Sequence, residues 1–213
     1  MEADPDQTLR ILRIGDTAPN FTARSTTGPI EMKQFRGRWL VLFSHPADFT
    51  PVCTSEFVAF AKAEECFAER DCALMALSVD SLYAHFAWVR TIKDRFDVEV
   101  RFPIVEDPTL VIGRAYGMVA ENAHDASAVR TVFIIDPHGV IRAMSCYPVE
   151  IGRSVEEILR TLVALQAVDA GNALAPEGWV PGEPLYAMPE PTLDKVFSAA
   201  DASSWFLKEG GNG

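Results

Sequence analysis

The residues best placed for chemistry lie in one stretch, His45-Pro46-Ala47-Asp48-Phe49-Thr50-Pro51-Val52-Cys53-Thr54-Ser55-Glu56. Thr50 followed by Pro51 has the grammar of a helix start. The threonine hydroxyl can accept from a free backbone N–H of the first turn. Proline at the next position lacks only an N–H that would be unpaired anyway. Cys53 then falls in the first turn, among amides without intrahelical acceptors and near the positive end of the helix dipole. A thiol there is expected to ionise more readily than a free cysteine, which points to nucleophilic sulfur chemistry. Cys66, Cys72 and Cys146 have no such setting and are expected to pack as small hydrophobes. The four cysteines contain no C-x-x-C pair, which argues against a zinc site, a dithiol and a secreted disulfide framework. Neither a metal nor a cofactor is expected, and a reducing compartment fits best.

Regular elements must carry that stretch. Arg38 to Ser44 reads as a buried strand entering it. Helical spacing leaves it from Pro51 to about Arg70, with Phe57, Phe60 and Phe67 apolar. Ala73 to Val79 is a second strand, and Ser81 can cap a helix carrying Leu82, Phe86, Trp88 and Val89; Phe86, Trp88 and Phe96 are expected in the core. Phe102 to Val105 predicts a short strand at an edge or end, because Pro103 cannot donate to a ladder. A short helix follows from about Pro108 to Tyr116. Strands at Thr131–Ile135 and Val140–Met144 flank the hairpin signal Asp136-Pro137-His138-Gly139. Ser154-Val155-Glu156-Glu157 is a capping box opening a helix to about Val168. Ile14–Phe21 and Ser25–Pro29 read as extended and turn segments.

The order β-α-β-α-β-α-β-β-α predicts an α/β layered sheet with helices on both faces. Composition shifts after about Gly171, where the last 43 residues hold five of 14 prolines and six of 13 glycines. This predicts a domain over 1–170 and a C-terminal arm over 171–213. The arm keeps Trp179, Leu185, Tyr186, Trp205 and Phe206. So much apolar surface is expected to pack, as an extended arm on the domain or on a partner subunit.

At 48% apolar and 23% charged, the 213 residues have the composition of a soluble globular protein. A net charge of -11 gives no footprint for nucleic acid and would be repelled by an anionic membrane surface. The acidic start, Met1 to Asp6, has no apolar stretch of a secretory signal. A cytoplasmic location is expected.

Pro46-x-x-x-Thr50-x-x-Cys53, followed by Thr54-x-Glu56, resembles the peroxidatic motif of the peroxiredoxins, and Arg130 before Thr131–Asp136 looks like their active-site arginine. His45, Asp80-Ser81-x-x-x-His85-x-x-Trp88, Tyr147-Pro148 with Gly152-Arg153, and Pro176-x-Gly178-Trp179-x-Pro181-Gly182 are similar to the one-cysteine subgroup. The resemblance runs from about Ile14 to about Thr192. It implies a thioredoxin-like fold with a central mixed sheet. It also implies a peroxidase reducing hydrogen peroxide and organic hydroperoxides, in which Cys53 cycles between thiolate and sulfenic acid.

In that frame Thr50, the amides of Val52 and Cys53, and Arg130 would bind the peroxide, and Pro46 would shield it from water. Glu56 and Arg153 would orient Arg130 or each other. His45 could hydrogen-bond the thiol or the reductant, and His85 reads as a structural hydrogen-bonding residue. Lowering a thiol pKa from about 8.5 to about 6 raises the thiolate fraction at neutral pH only about thirty-fold, so stabilisation of the transition state is needed as well. No cysteine follows Cys146, which implies resolution by an external thiol, glutathione or a thioredoxin-like donor. A homodimer or an oligomer of dimers is expected. The sequence has no G-x-S-x-G element, so the phospholipase activity of some one-cysteine relatives is not carried over.

Overall fold

The structure is a computed structural model that describes residues 12–119 and 130–212. His124, read from the sequence as a loop residue, lies outside them. The chain divides into two compact units, one ending at Val155 and the other beginning at Glu156.

In the first unit the elements run β1 (Thr22–Ser25), β2 (Gly28–Glu31), β3 (Trp39–Ser44), α1 (Pro51–Ala68), β4 (Cys72–Ser78), α2 (Leu82–Phe96), β5 (Ile104–Glu106), α3 (Val111–Ala115), β6 (Arg130–Ile135) and β7 (Ile141–Tyr147). The strands form one seven-stranded sheet in the order β2-β1-β5-β4-β3-β6-β7. β3, β4 and β5 are parallel, while β6 and β7 add antiparallel strands on the other side of β3. This is a mixed sheet flanked by helices, thioredoxin-like in class.

β3 and β6 are buried along their whole length, as expected of strands covered on both faces. Alternation sends Leu40 and Leu42 to one face, where they join Met75, Leu77, Phe133 and Ile135. The opposite face is aromatic. Phe43 stacks on Phe60 of α1 with ring centroids 4.1 Å apart and meets Phe57 edge-on at 5.7 Å. Phe57 in turn lies 4.4 Å from Trp88 of α2. Large rings carry much of the apolar burial, so α1 and α2 are fixed to the sheet where the chemistry-bearing stretch begins.

Several expectations are corrected. β5 lies between β1 and β4, not at an edge; Pro103 precedes the strand, so its missing N–H is not needed in the ladder. The turn expected at Ser25–Pro29 is present, and it joins β1 and β2 as a hairpin that the sequence reading did not include. Of the three aromatics assigned to the core, only Trp88 is buried. Phe86 and Phe96 are 43% and 45% exposed, because α2 shows the sheet only the face carrying His85, Trp88 and Ile92. Cys72 is buried, but Cys66 and Cys146 are exposed, one on the outer side of α1 and one on the edge strand β7.

The second unit holds α4 (Val155–Gly171), β8 (Ala173–Leu174), β9 (Pro184–Ala187), α5 (Leu193–Ser198) and β10 (Glu209–Asn212). α4 thus groups with the arm. The arm is folded: β8, β9 and β10 form a three-stranded antiparallel sheet. Trp179 is buried there with Leu185 and Ala173, and its Nε1 donates to Glu183 O at 3.0 Å.

Candidate active site

The last residues of β3, the loop after it and the first turn of α1 bring the sequence-predicted residues together. Thr50 is the N-cap of α1, with extended backbone angles, and Pro51 is the first helical residue. The first helical backbone bond runs from Thr54 N to Thr50 O at 2.9 Å. The amides of Val52 and Cys53 therefore precede the ladder and have no intrahelical acceptor. The Thr50 hydroxyl does not cap the helix as expected. It donates to Ala47 O at 3.0 Å, because the tight turn from Ala47 to Thr50 brings that carbonyl nearer than the first-turn amides. The oxygen keeps its lone pairs as acceptors.

Cys53 is fully buried. Arg130, the first residue of β6, reaches across from a neighbouring strand, and its Nη1 donates to Cys53 Sγ at 3.3 Å and to Glu56 Oε2 at 2.7 Å. Its Nε and Nη2 both donate to Val149 O, at 3.0 and 2.9 Å. Glu56 lies one turn beyond Cys53 on α1, so its carboxylate sits under the same face. Arg153 braces that carboxylate: Nε donates to Oε1 at 2.8 Å, Nη2 to Oε2 at 2.8 Å, and the backbone N to Oε1 at 2.7 Å. Its Nη1 donates to Ser44 O and Thr131 O, tying β3 to β6. Burial pushes the Glu56 carboxyl up, but the hydrogen bonds and charge of Arg153, and then Arg130, outweigh it and hold the group below its ordinary range. Two guanidiniums thus share one ionised carboxylate, and one of them rests on the sulfur.

His45 is not bonded to the thiol. Its Nε2 lies 2.8 Å from Asp48 Oδ1, and His85 Nδ1 lies 2.7 Å from Asp48 Oδ2. Burial lifts the Asp48 carboxyl, yet its bonds to the two imidazoles bring it below the usual value. An ionised Asp48 accepts from both rings, which places the protons on His45 Nε2 and His85 Nδ1. Burial holds the His45 pKa down against the pull of Asp48. Among the described residues, these three are the group whose donor atoms lie close enough for a metal ion, all within 4.8 Å. A ligating histidine normally donates its other ring N–H to a partner. Here His45 Nδ1 and His85 Nε2 are buried with none, so the set is a hydrogen-bonded triad.

Asp48 is the residue that sequence reasoning missed. Its signal was its place inside the motif stretch, but nothing local shows which histidines it meets. It also fixes the loop, since its backbone N donates to Asp80 Oδ2 at 2.7 Å. Phe49 beside it holds a left-handed φ of 58° with its ring 57% exposed, a conformation costly for a bulky residue unless neighbours impose it. Pro46 is half-buried between the end of β3 and this loop. A thiol in the first turn of a helix, an arginine on its sulfur and a carboxylate–arginine brace behind it suit two-electron reduction of a small O–O bond.

Comparison with known proteins agrees. Residues 14–144 match the AhpC/TSA family. The chain is 49% identical over 184 residues to peroxiredoxin 2 of Caldanaerobacter subterraneus, covering 86% of this chain and 83% of that one. The chain belongs to this family, the peroxiredoxins. A peroxiredoxin of Thermoplasma volcanium is 40% identical over 198 residues, or 92% and 97% of the two chains. Among solved structures, the peroxiredoxin fold here is similar to a yeast mitochondrial one-cysteine peroxiredoxin. That match has a TM-score of 0.83 and 38% identity, covering 94% of this chain and 100% of the other. A Plasmodium vivax two-cysteine peroxiredoxin also matches, at a TM-score of 0.77 and 30% identity over 87% and 98%. As a peroxiredoxin, this protein is a thiol-dependent hydroperoxide reductase. No helix among the described residues is long and apolar enough to cross a membrane.

Proposed function

We propose that Cys53 is the peroxidatic nucleophile of a one-cysteine cycle completed by an external thiol. The observation that carries this reading is the single Nη1 of Arg130 shared between Cys53 Sγ and Glu56. The Cys53 thiolate attacks the distal oxygen of the hydroperoxide. The S–O bond forms as the O–O bond breaks, the leaving oxygen takes a proton to become water or an alcohol, and the sulfur is oxidised by two electrons to sulfenic acid. Charge moves from sulfur to the leaving oxygen, so donors are needed at both places. Of the five N–H groups of a guanidinium, Arg130 commits four to Val149, Glu56 and Cys53. One Nη2 hydrogen is free among the described residues to meet a peroxide oxygen. Thr50 Oγ1 accepts the peroxide O–H, the amides of Val52 and Cys53 donate to it, and Pro46 excludes water from one side.

An incoming thiol then attacks the sulfenic sulfur with loss of water, and a second thiol reduces the mixed disulfide. Glutathione or a thioredoxin-like donor is the proposed source, supported by the yeast one-cysteine neighbour, which is described with glutathione and thioredoxin systems. No cysteine follows Cys146 in the sequence, which supports an external resolving thiol, and a cytoplasmic location is part of the same proposal. We place the protein in at least a homodimer. This is supported by apolar side chains of the arm that one chain leaves uncovered, Leu193 at 72% and Phe197 at 81% exposure.

The test is peroxide consumption with a thiol donor. The wild type turns over, a sulfenic-acid reagent labels Cys53 after one equivalent of peroxide, and Cys53→Ser consumes none. Unchanged turnover in Cys53→Ser would sink the mechanism.

A further inference from the structure

We infer that the β-turn Pro148–Ile151 is a positioning element for Arg130, and that its central peptide sets the guanidinium on the sulfur. The inference rests on the peroxidase reading and names a part of the site that the sequence motif does not contain. Ile151 N donates to Pro148 O at 3.1 Å, which closes a four-residue turn with Val149 and Glu150 at its centre. The Val149 carbonyl belongs to the central peptide. It accepts two of the four committed N–H groups of Arg130, as many as Glu56 and Cys53 receive together. Glu56 could hold the guanidinium by one nitrogen and leave it free to pivot. The carbonyl, engaging Nε and Nη2 on another edge, removes that freedom.

The turn's geometry decides whether the carbonyl points inward. Type I and type II turns differ by turning the central peptide over: ψ of the first central residue changes from about -30° to about +120°, and φ of the second from about -90° to about +80°. Glu150 is not among the residues with positive φ, so the type II arrangement is absent. In the flipped turn the Val149 carbonyl would face away from Arg130 while the Pro148–Ile151 bond stayed closed. The turn is also exposed, with Val149 and Ile151 at 42% and 52%. Its side chains can therefore be changed without opening the core.

Sequence chemistry can choose between the two turns. Pro-Gly at the centre favours type II, whereas Pro-Asp favours type I. The test compares Val149→Pro/Glu150→Gly with Val149→Pro/Glu150→Asp in the full chain. Two rates of Cys53 are read in each: oxidation by hydrogen peroxide and alkylation by iodoacetamide at the same pH. Their ratio cancels any change in thiolate content and any general loss of access. The Pro-Gly variant is expected to lower the ratio about 10- to 100-fold, the scale of a catalytic group displaced by an ångström. The Pro-Asp variant should restore it to within about threefold of the wild type, with both melting temperatures alike. A wild-type ratio in the Pro-Gly variant, or an equal loss in both variants, would overturn the inference. Failure of the peroxidase reading would show separately, as no peroxide oxidation of wild-type Cys53.

Discussion

At the scale of single residues, the site depends on one guanidinium meeting one sulfur and one carboxylate. Arg130→Lys keeps the charge but not the planar set of donors. Its peroxide rate constant is expected to fall about 100-fold or more, the cost of losing a fixed donor to a developing oxyanion; stopped-flow oxidation of Cys53 checks it, and a loss below about fivefold would argue that charge alone suffices. Glu56→Ala leaves Arg130 and Arg153 buried without their shared counter-charge. It should destabilise the fold by about 3–5 kcal/mol, read by denaturant unfolding. Much of this site was legible in the sequence: the spacing from Pro46 to Cys53 and the arginine opening a strand both named residues that the fold brings together. The Val149 contribution was not legible, because it is a main-chain oxygen and carries no residue identity. His45 is expected on the thiol or on the reductant, but Asp48 holds its ring, a partner that only tertiary structure reveals.

At the scale of elements, α1 is held to α2 through a short polar relay. Trp88 Nε1 donates to Thr54 Oγ1 at 3.2 Å, and that hydroxyl donates to Thr50 O at 2.7 Å. Thr54→Val removes both bonds and leaves a buried indole N–H without an acceptor. A loss of about 1–3 kcal/mol follows, with a smaller loss in Thr54→Ser, and thermal melting of the pair separates them. The long helices and buried strands were readable from periodicity and runs of apolar residues. The β1–β2 hairpin was not, since Thr22–Ser25 and Gly28–Glu31 are four residues each and offer little apolar alternation. The arm's sheet escaped for the same reason, with β8 only two residues long.

At the scale of the whole molecule, the buried titratable groups set the response to acid. Asp48 and Glu56 titrate below their ordinary values of 3.8 and 4.5, and His45 below 6.5. In each case the unfolded chain binds protons at a higher pH than the folded one, so stability falls on acidification. The His45 contribution is present above pH 6.5 and declines as the pH drops from there; the carboxylate contributions follow below about 4.5. The melting temperature should fall from pH 7 to pH 5, and less steeply in His45→Gln. A rise over that interval would contradict the assignment. Native mass spectrometry is expected to find at least a dimer, and a strictly monomeric protein would leave the exposed arm residues unexplained. Composition placed a boundary near Gly171, whereas the compact units part at Val155. α4 reads as an ordinary amphipathic helix, and local pattern cannot say which unit receives it.

The brace behind Cys53 also has a charge of its own. Arg130 and Arg153 against Glu56 leave a surplus of one positive charge, largely buried. A thiolate cancels that surplus. Sulfenic acid, being neutral, exposes it again, and the site becomes a trap for the next anion to arrive. In the proposed one-cysteine cycle, an attacking thiolate satisfies it and carries the cycle forward. A second peroxide satisfies it too, by making a sulfinate. In the cycle we propose, the same unbalanced charge draws in the rescuing thiol and stabilises the dead end, and the concentrations of the two reactants decide how long a molecule lasts.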